Sequence, residues 1–90
     1  MKKEWTAEFD KHQIRVVNTL FFGASLFIDG VCRDTNTQLF AISGSIPRMS
    51  ARVIGDAGTT FDVIVFIKAP LLRVYAKICV NGQQIGGDVF

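Results

Sequence analysis

The phrases "SLFIDGVCRD" (residues 25–34) and "KICVNGQQIG" (residues 77–86) decide the fold class. Each is an apolar run, then Asp-Gly or Asn-Gly, then a more polar run. Both dipeptides tolerate the positive φ angles of a type I′ turn, whose twist matches a two-stranded antiparallel ribbon. Asp29-Gly30 therefore turns a strand ending near Ile28 back through Val31 and Arg33. Asn81-Gly82 turns a strand ending near Val80 back toward Ile85. Turn chemistry accounts for both polar residues, so neither reads as a site. Beyond the tips the two phrases share no sequence repeat.

Outward from the tips, period-2 alternation dominates the chain. "EWTAEF" sets Trp5, Ala7 and Phe9 on one face, although Met1, Trp5 and Phe9 also fit a helical template. "HQIRVVN" turns Ile14 and Val16 inward and Gln13 and Arg15 outward. "GASLFIDG" sets Ala24, Leu26 and Ile28 against Phe27. "QLFAISG" and "MSARVIG" are shorter candidates, the latter with Met49, Ala51 and Val53 against Ser50 and Arg52. "TFDVIVFIKA" sets Phe61, Val63, Val65 and Ile67 against Asp62, Ile64, Phe66 and Lys68. After Ala69-Pro70, "LLRVYAKICVNG" sets Leu72, Val74, Ala76, Ile78 and Val80 against Leu71, Arg73, Tyr75, Lys77 and Cys79. Short strands between frequent turn signals predict an all-β chain, a single antiparallel β-sandwich of roughly seven to nine strands spanning residues 1–90.

Composition agrees with one dense domain. A chain of 90 residues buries only about 60–65% of its unfolded surface, so its core must be rich. Hydrophobic residues make up 49% and charged residues 20%, which excludes a disordered chain and hints at a covered apolar face. The longest unbroken apolar run, Val63 to Ile67, is far too short for a spanning helix. "MKKEWTAEFDK" lacks the apolar core of a secretory signal, and "QQIGGDVF" lacks the long alternation of an outer-membrane strand. A cytoplasmic location is the expectation. Cys32 and Cys79, near the two tips, then read as reduced and buried, with a disulfide as the alternative.

Little chemistry survives inspection. His12 is the only imidazole, and at a strand start it reads as structural. "ISGSI" is not a hydrolase elbow. One His and two separated Cys lack the paired spacing of a zinc site, and the carboxylates are scattered or at turns. "GDAG" and "IGGD" lack the lysine and helix of a phosphate loop. No catalytic residue, metal or cofactor is expected.

Trp5, His12–Ile14, "LFIDG" at Leu26–Gly30 and "ICVNGQQI" at Ile78–Ile85 resemble, in order, the pattern of the Fas apoptosis inhibitory molecule family; residues 35–60 fall outside the match. The resemblance implies an antiparallel sandwich acting through protein–protein contacts, without enzymatic activity and with no catalytic residues to transfer.

Surfaces remain. Phe27, Ile64 and Phe66 oppose the inward sets of their own strands, and "TLFFG" adds Phe21 and Phe22. Together they predict an interface for a homodimer or a protein partner, or a groove for a small apolar ligand. Arg73, Tyr75 and Lys77 alternate on one face, the arrangement that stacks single-stranded bases. The net charge of +2 is small for a polyanion binder, although residues 33–79 carry six basic side chains against three acidic ones.

Overall fold

A computed structural model of the chain describes residues 2–19, 23–37, 44–55, 57–69 and 73–90. They form eight antiparallel strands: β1 (Lys2–Phe9), β2 (His12–Thr19), β3 (Gly23–Ile28), β4 (Val31–Asn36), β5 (Pro47–Ile54), β6 (Thr60–Lys68), β7 (Tyr75–Val80) and β8 (Gln83–Gly87). β1 to β4 make a first sheet and β5 to β8 a second, each in sequential order. The expected all-β sandwich is what the chain forms. Residues 2–9 are strand, so the sheet alternation prevails over the helical template. Their Trp5, Ala7 and Phe9 pack on the core while Glu4, Thr6 and Glu8 face water.

The core lies between the sheets. Trp5, Ile14, Val16, Ala24, Leu26 and Ile28 come from the first, and Met49, Val53, Phe61, Val63, Val65, Ile67, Ala76, Ile78 and Val80 from the second. Every one is an inward residue of its alternating run. Burying the Val, Leu, Ile, Phe and Met side chains among them supplies about 1.5–3 kcal/mol each.

The predicted tips are present. Asp29 and Gly30 have φ of 50° and 82°, and Asn81 and Gly82 have 49° and 84°. A third two-residue turn, Asp10-Lys11, holds φ of 50° and 63° without glycine. β7 begins at Tyr75 rather than at Leu71, because its partner β6 ends at Lys68 and leaves Arg73 and Val74 beyond the ladder. Leu71, Leu72 and most of "QLFAISG" lie outside the described residues. The cysteines divide: Cys79 is buried, but Cys32 is exposed, against expectation. Cys32 pairs with Phe27 on the outer face of β4, whereas Cys79 lies on β7 with Ile64 and Gln84 on either side of it.

The two sheets share one register, apart from a shift between Pro47 and Met49 at the start of β5. Adding 49 to β2 and 52 to β3 and β4 converts the first sheet's register into the second's. Ile14↔Ile28 becomes Val63↔Val80, and Thr19↔Gly23 becomes Lys68↔Tyr75. Both outer hairpins carry a bulge at the same place, Arg33 opposite Leu26/Phe27 and Ile85 opposite Ile78/Cys79. Adding 44 to β1 carries Trp5↔Val16 onto Met49↔Val65. The echo of the opening phrases therefore extends through a whole four-stranded unit, although the sequence similarity stops at the tips.

The same clamp closes both tips. The Asp29 amide donates to the Gln13 carbonyl at 2.8 Å, and the Gln13 amide donates to Asp29 Oδ1 at 2.8 Å. Asn81 and Asp62 exchange the equivalent pair, each at 3.0 Å. Each turn residue thus adds one rung to the ladder with a strand that is not part of its own hairpin.

The units join at two matching seams. β4 lies beside β5, and β8 beside β1. At the first, Arg33 Nη2, Asp34 Oδ2 and Asn36 Nδ2 bond the Arg52 carbonyl, the Ser50 amide and the Arg48 carbonyl at 2.7, 2.9 and 3.0 Å. Side chains thereby satisfy the outward backbone groups of an edge strand. At the second, Trp5 Nε1 donates to Asp88 Oδ2 at 2.8 Å, and Gly86 leaves room for the closely packed Ala7.

Candidate functional site

A duplicated framework separates architecture from specialisation. Features present in both units, such as the tip clamps and bulges, build the fold. Features present in one unit are candidates for function, and they concentrate on the outer face of the second sheet.

There, Ile64 and Phe66 project from the central strand β6, both half-buried. Phe66 pairs with Pro47 on one side and Lys77 on the other; Ile64 pairs with Ser50 and Cys79. The Lys77 ammonium lies 5.1 Å from the Phe66 ring centroid and 4.7 Å from that of Phe90, and donates to the Phe90 oxygen at 3.3 Å. Lys68 and Tyr75 face each other on the next rung. At the opposite end of the face, Arg52 Nε meets Asp62 Oδ1 at 2.9 Å. This pair holds the Asp62 carboxyl below its ordinary pKa and Arg52 above its own, although both groups are exposed. A shallow open depression bordered by Ser50, Arg52, Asp62 and Ile64 continues the surface.

The first sheet's outer face is built from different residues. By the same offsets, Ile64, Phe66, Lys68, Lys77 and Cys79 correspond to Arg15, Val17, Thr19, Ser25 and Phe27. Phe27 is half-buried there beneath the Arg15 guanidinium, 4.7 Å from the ring centroid. The expected interface set is therefore not one patch. Ile64 and Phe66 lie together, Phe27 lies on the far side of the sandwich, and Phe21 and Phe22 lie outside the described residues.

Tyr75 and Lys77 project from β7, and Arg73 is exposed just before that strand. Both ladder residues are already engaged. Lys3 places its ammonium 5.5 Å from the Tyr75 centroid and 5.2 Å from that of Trp5, while donating to the Val74 carbonyl at 2.8 Å. A stacking base would compete with these cations for the ring faces.

His12 faces Asp29, with Nδ1 2.6 Å from Oδ2, and its ring lies 5.7 Å from Phe61. The Gln13 amide and then His12 lower the pKa of Asp29. Among the described residues no trio of His, Cys, Asp or Glu is arranged to hold a metal ion.

Sequence reasoning missed Phe90, Gly44 and Lys3 as members of this face. The rung Phe66↔Lys77 depends on how residues 69–74 return the chain, which alternation does not encode. Searches of family models, curated proteins and solved structures found no match to this chain.

Proposed function

We propose that the chain is a non-enzymatic binding module that engages a protein partner through the outer face of its second sheet. The observation that supports this most is the Ile64–Phe66 strip, two large apolar side chains on the solvent-side face of a central strand, where the matching positions of the first unit hold Arg15 and Val17. Arg52, Lys68 and Lys77 surround it, with Asp62 the facing acid, so the face favours a partner that brings acidic groups around an apolar contact. Two copies meeting through this face would oppose like charges, which favours a different protein over a homodimer. The two free thiols support a reducing compartment, such as the cytoplasm.

A photo-crosslinking residue at Ile64 tests the reading, with one at Val17 as the equivalent position on the first sheet. In a lysate of the source organism, a specific adduct is expected from position 64 and none from position 17, and Phe66→Arg abolishes it while the amide spectrum stays folded. Equal labelling from both positions overturns the reading. So does a concentration-dependent dimer in light scattering that Phe66→Arg dissolves, since the occupant is then a second copy.

A further inference from the structure

Within that face, Val89 and Phe90 extend beyond the last seam residue, Asp88. Asp88 is pinned: its amide donates to the Ala76 carbonyl at 2.7 Å, and its Oδ2 accepts from the Ala76 amide at 3.0 Å and from Trp5 Nε1 at 2.8 Å. Its carbonyl accepts from Gln84 Nε2 at 2.8 Å. Val89 is then 93% exposed, and Phe90 returns to the sheet. The ring lies on Gly44 so closely that a Cβ there would come within 2.6 Å of it. Its other neighbour is the Lys77 ammonium, which also holds the Phe90 oxygen.

These groups define a slot. Gly44 supplies a wall without a side chain, and Lys77 supplies a cation for the ring face and a donor for a nearby oxygen. Phe66 holds that ammonium from the other side, 5.1 Å from its own centroid. The slot recognises an aromatic side chain with a main-chain or carboxylate oxygen beside it. A cation held between two rings, in a partly desolvated setting, contributes more than an exposed one does. At the positions of Lys77 and Phe66 the first unit has Ser25 and Val17.

We propose that this slot is a recognition site for an aromatic residue in an extended segment of a partner protein, and that Phe90 occupies it in cis as a displaceable strap. The proposal rests on the reading of the second sheet's outer face as the binding surface. Displacement disturbs little of the framework. Asp88 keeps its own bonds, Val89 is already in solvent, and among the described residues the Phe90 ring and the Lys77 donor change partners. A second copy as occupant is disfavoured, because it would bring two basic surfaces face to face.

A one-residue tether holds Phe90 at an effective concentration on the order of millimolar, so a free competitor of equal affinity must exceed that level. The test therefore uses the full chain carrying Phe90→Ala, titrated with acetylated Gly-Asp-Val-Phe and followed by amide shifts. The expected result is saturable binding, with shifts centred on Gly44, Phe66 and Lys77, and at least about tenfold weaker binding to wild type. The peptide ending in Ala in place of Phe leaves the spectrum unchanged. Adding Gly44→Val to the Phe90→Ala chain fills the slot and abolishes binding. The strand amides report folding in every variant, and Phe90→Ser provides a second open-slot chain.

Absence of saturable shifts in both open-slot chains overturns the proposal, as does equal affinity in wild type, which would mean that Phe90 occludes nothing. A specific adduct from Ile64 without peptide binding removes the slot and leaves the broader reading standing. Peptide binding at the slot without any adduct from Ile64 supports the slot and removes the broader reading.

Discussion

At the scale of single residues, Asp29 shows how one side chain serves two elements. Its φ of 50° makes the turn, and its carboxylate accepts the Gln13 amide while facing His12 at 2.6 Å. Asp-Gly announces the turn in the sequence. The clamp is silent there, because Gln13 is sixteen residues away and joins only once β2 and β3 are in register. The Gln13 amide, then His12, hold the Asp29 pKa below its ordinary value of 3.8. A depressed folded-state pKa contributes stability above the unfolded value, and that contribution is lost as pH falls through the folded one. Asp29→Asn keeps an acceptor for Gln13 but cannot titrate. Wild type is therefore expected to exceed Asp29→Asn in urea midpoint at pH 7, with the gap closing progressively below about pH 4. Asn81→Ala, at the uncharged counterpart, is expected to lower the midpoint by the same amount at both pH values. A gap for Asp29→Asn that does not change with pH would contradict the assignment.

At the scale of strands, alternation identified the inward faces of β1, β2, β3, β5, β6 and β7, because water on one side and core on the other impose period two. It could not show where strands end or how edges close. β7 begins only at Tyr75, opposite the last residue of β6, and Arg33 and Ile85 are bulges whose own residues carry no bulge signal. The seams are equally hidden, since they join residues as distant as Trp5 and Asp88. Gly87 makes the second seam workable. At φ of 88° it turns the chain so that Asp88 reaches both Ala76 and Trp5, and a Cβ there would lie 2.2 Å from the Ala76 carbonyl oxygen. Removing the Asp88 carboxylate strands two donors, the Trp5 indole and the amide of the fully buried Ala76. Asp88→Ala is therefore expected to cost about 2 kcal/mol in chemical denaturation, since unpaired donors carry their full desolvation penalty. Hydrogen exchange should localise the effect, with the Ala76 amide accelerated and the Gln13 amide, clamped at the other end, unchanged. Uniform acceleration across both sheets would mean that the seam is not a separate unit of stability.

At the scale of the molecule, two four-stranded units of equal register face each other across one core, each last strand lying beside the other unit's first. The chain crosses between units once, through residues 37–46, at the end where β4 stops and β5 starts. β8 stops and β1 starts at that same end, so the second seam is geometrically a crossing that the chain does not use. If the framework is a duplicated unit, covalent order should be exchangeable between the seams. Asn36 and Pro47 are bridged by ten residues, and Asp88 and Lys3 occupy nearly equivalent places. Residues 89, 90, 1 and 2 plus about six glycine and serine residues match that span. A circular permutant with this linker, opened between residues 40 and 41, keeps every strand pair and every seam contact. Its loop-closure cost should resemble the one it replaces, because that cost rises only slowly with length. The permutant is expected to unfold cooperatively within about 1 kcal/mol of the parent, with the amides of Gln13 and Asp62 still protected by the tip clamps. Failure to fold would show that the 37–46 crossing contributes structure of its own and that the two seams are equivalent in register alone. Success would make the second sheet's outer face, rather than the order of the strands, the feature that distinguishes one half of this molecule from the other.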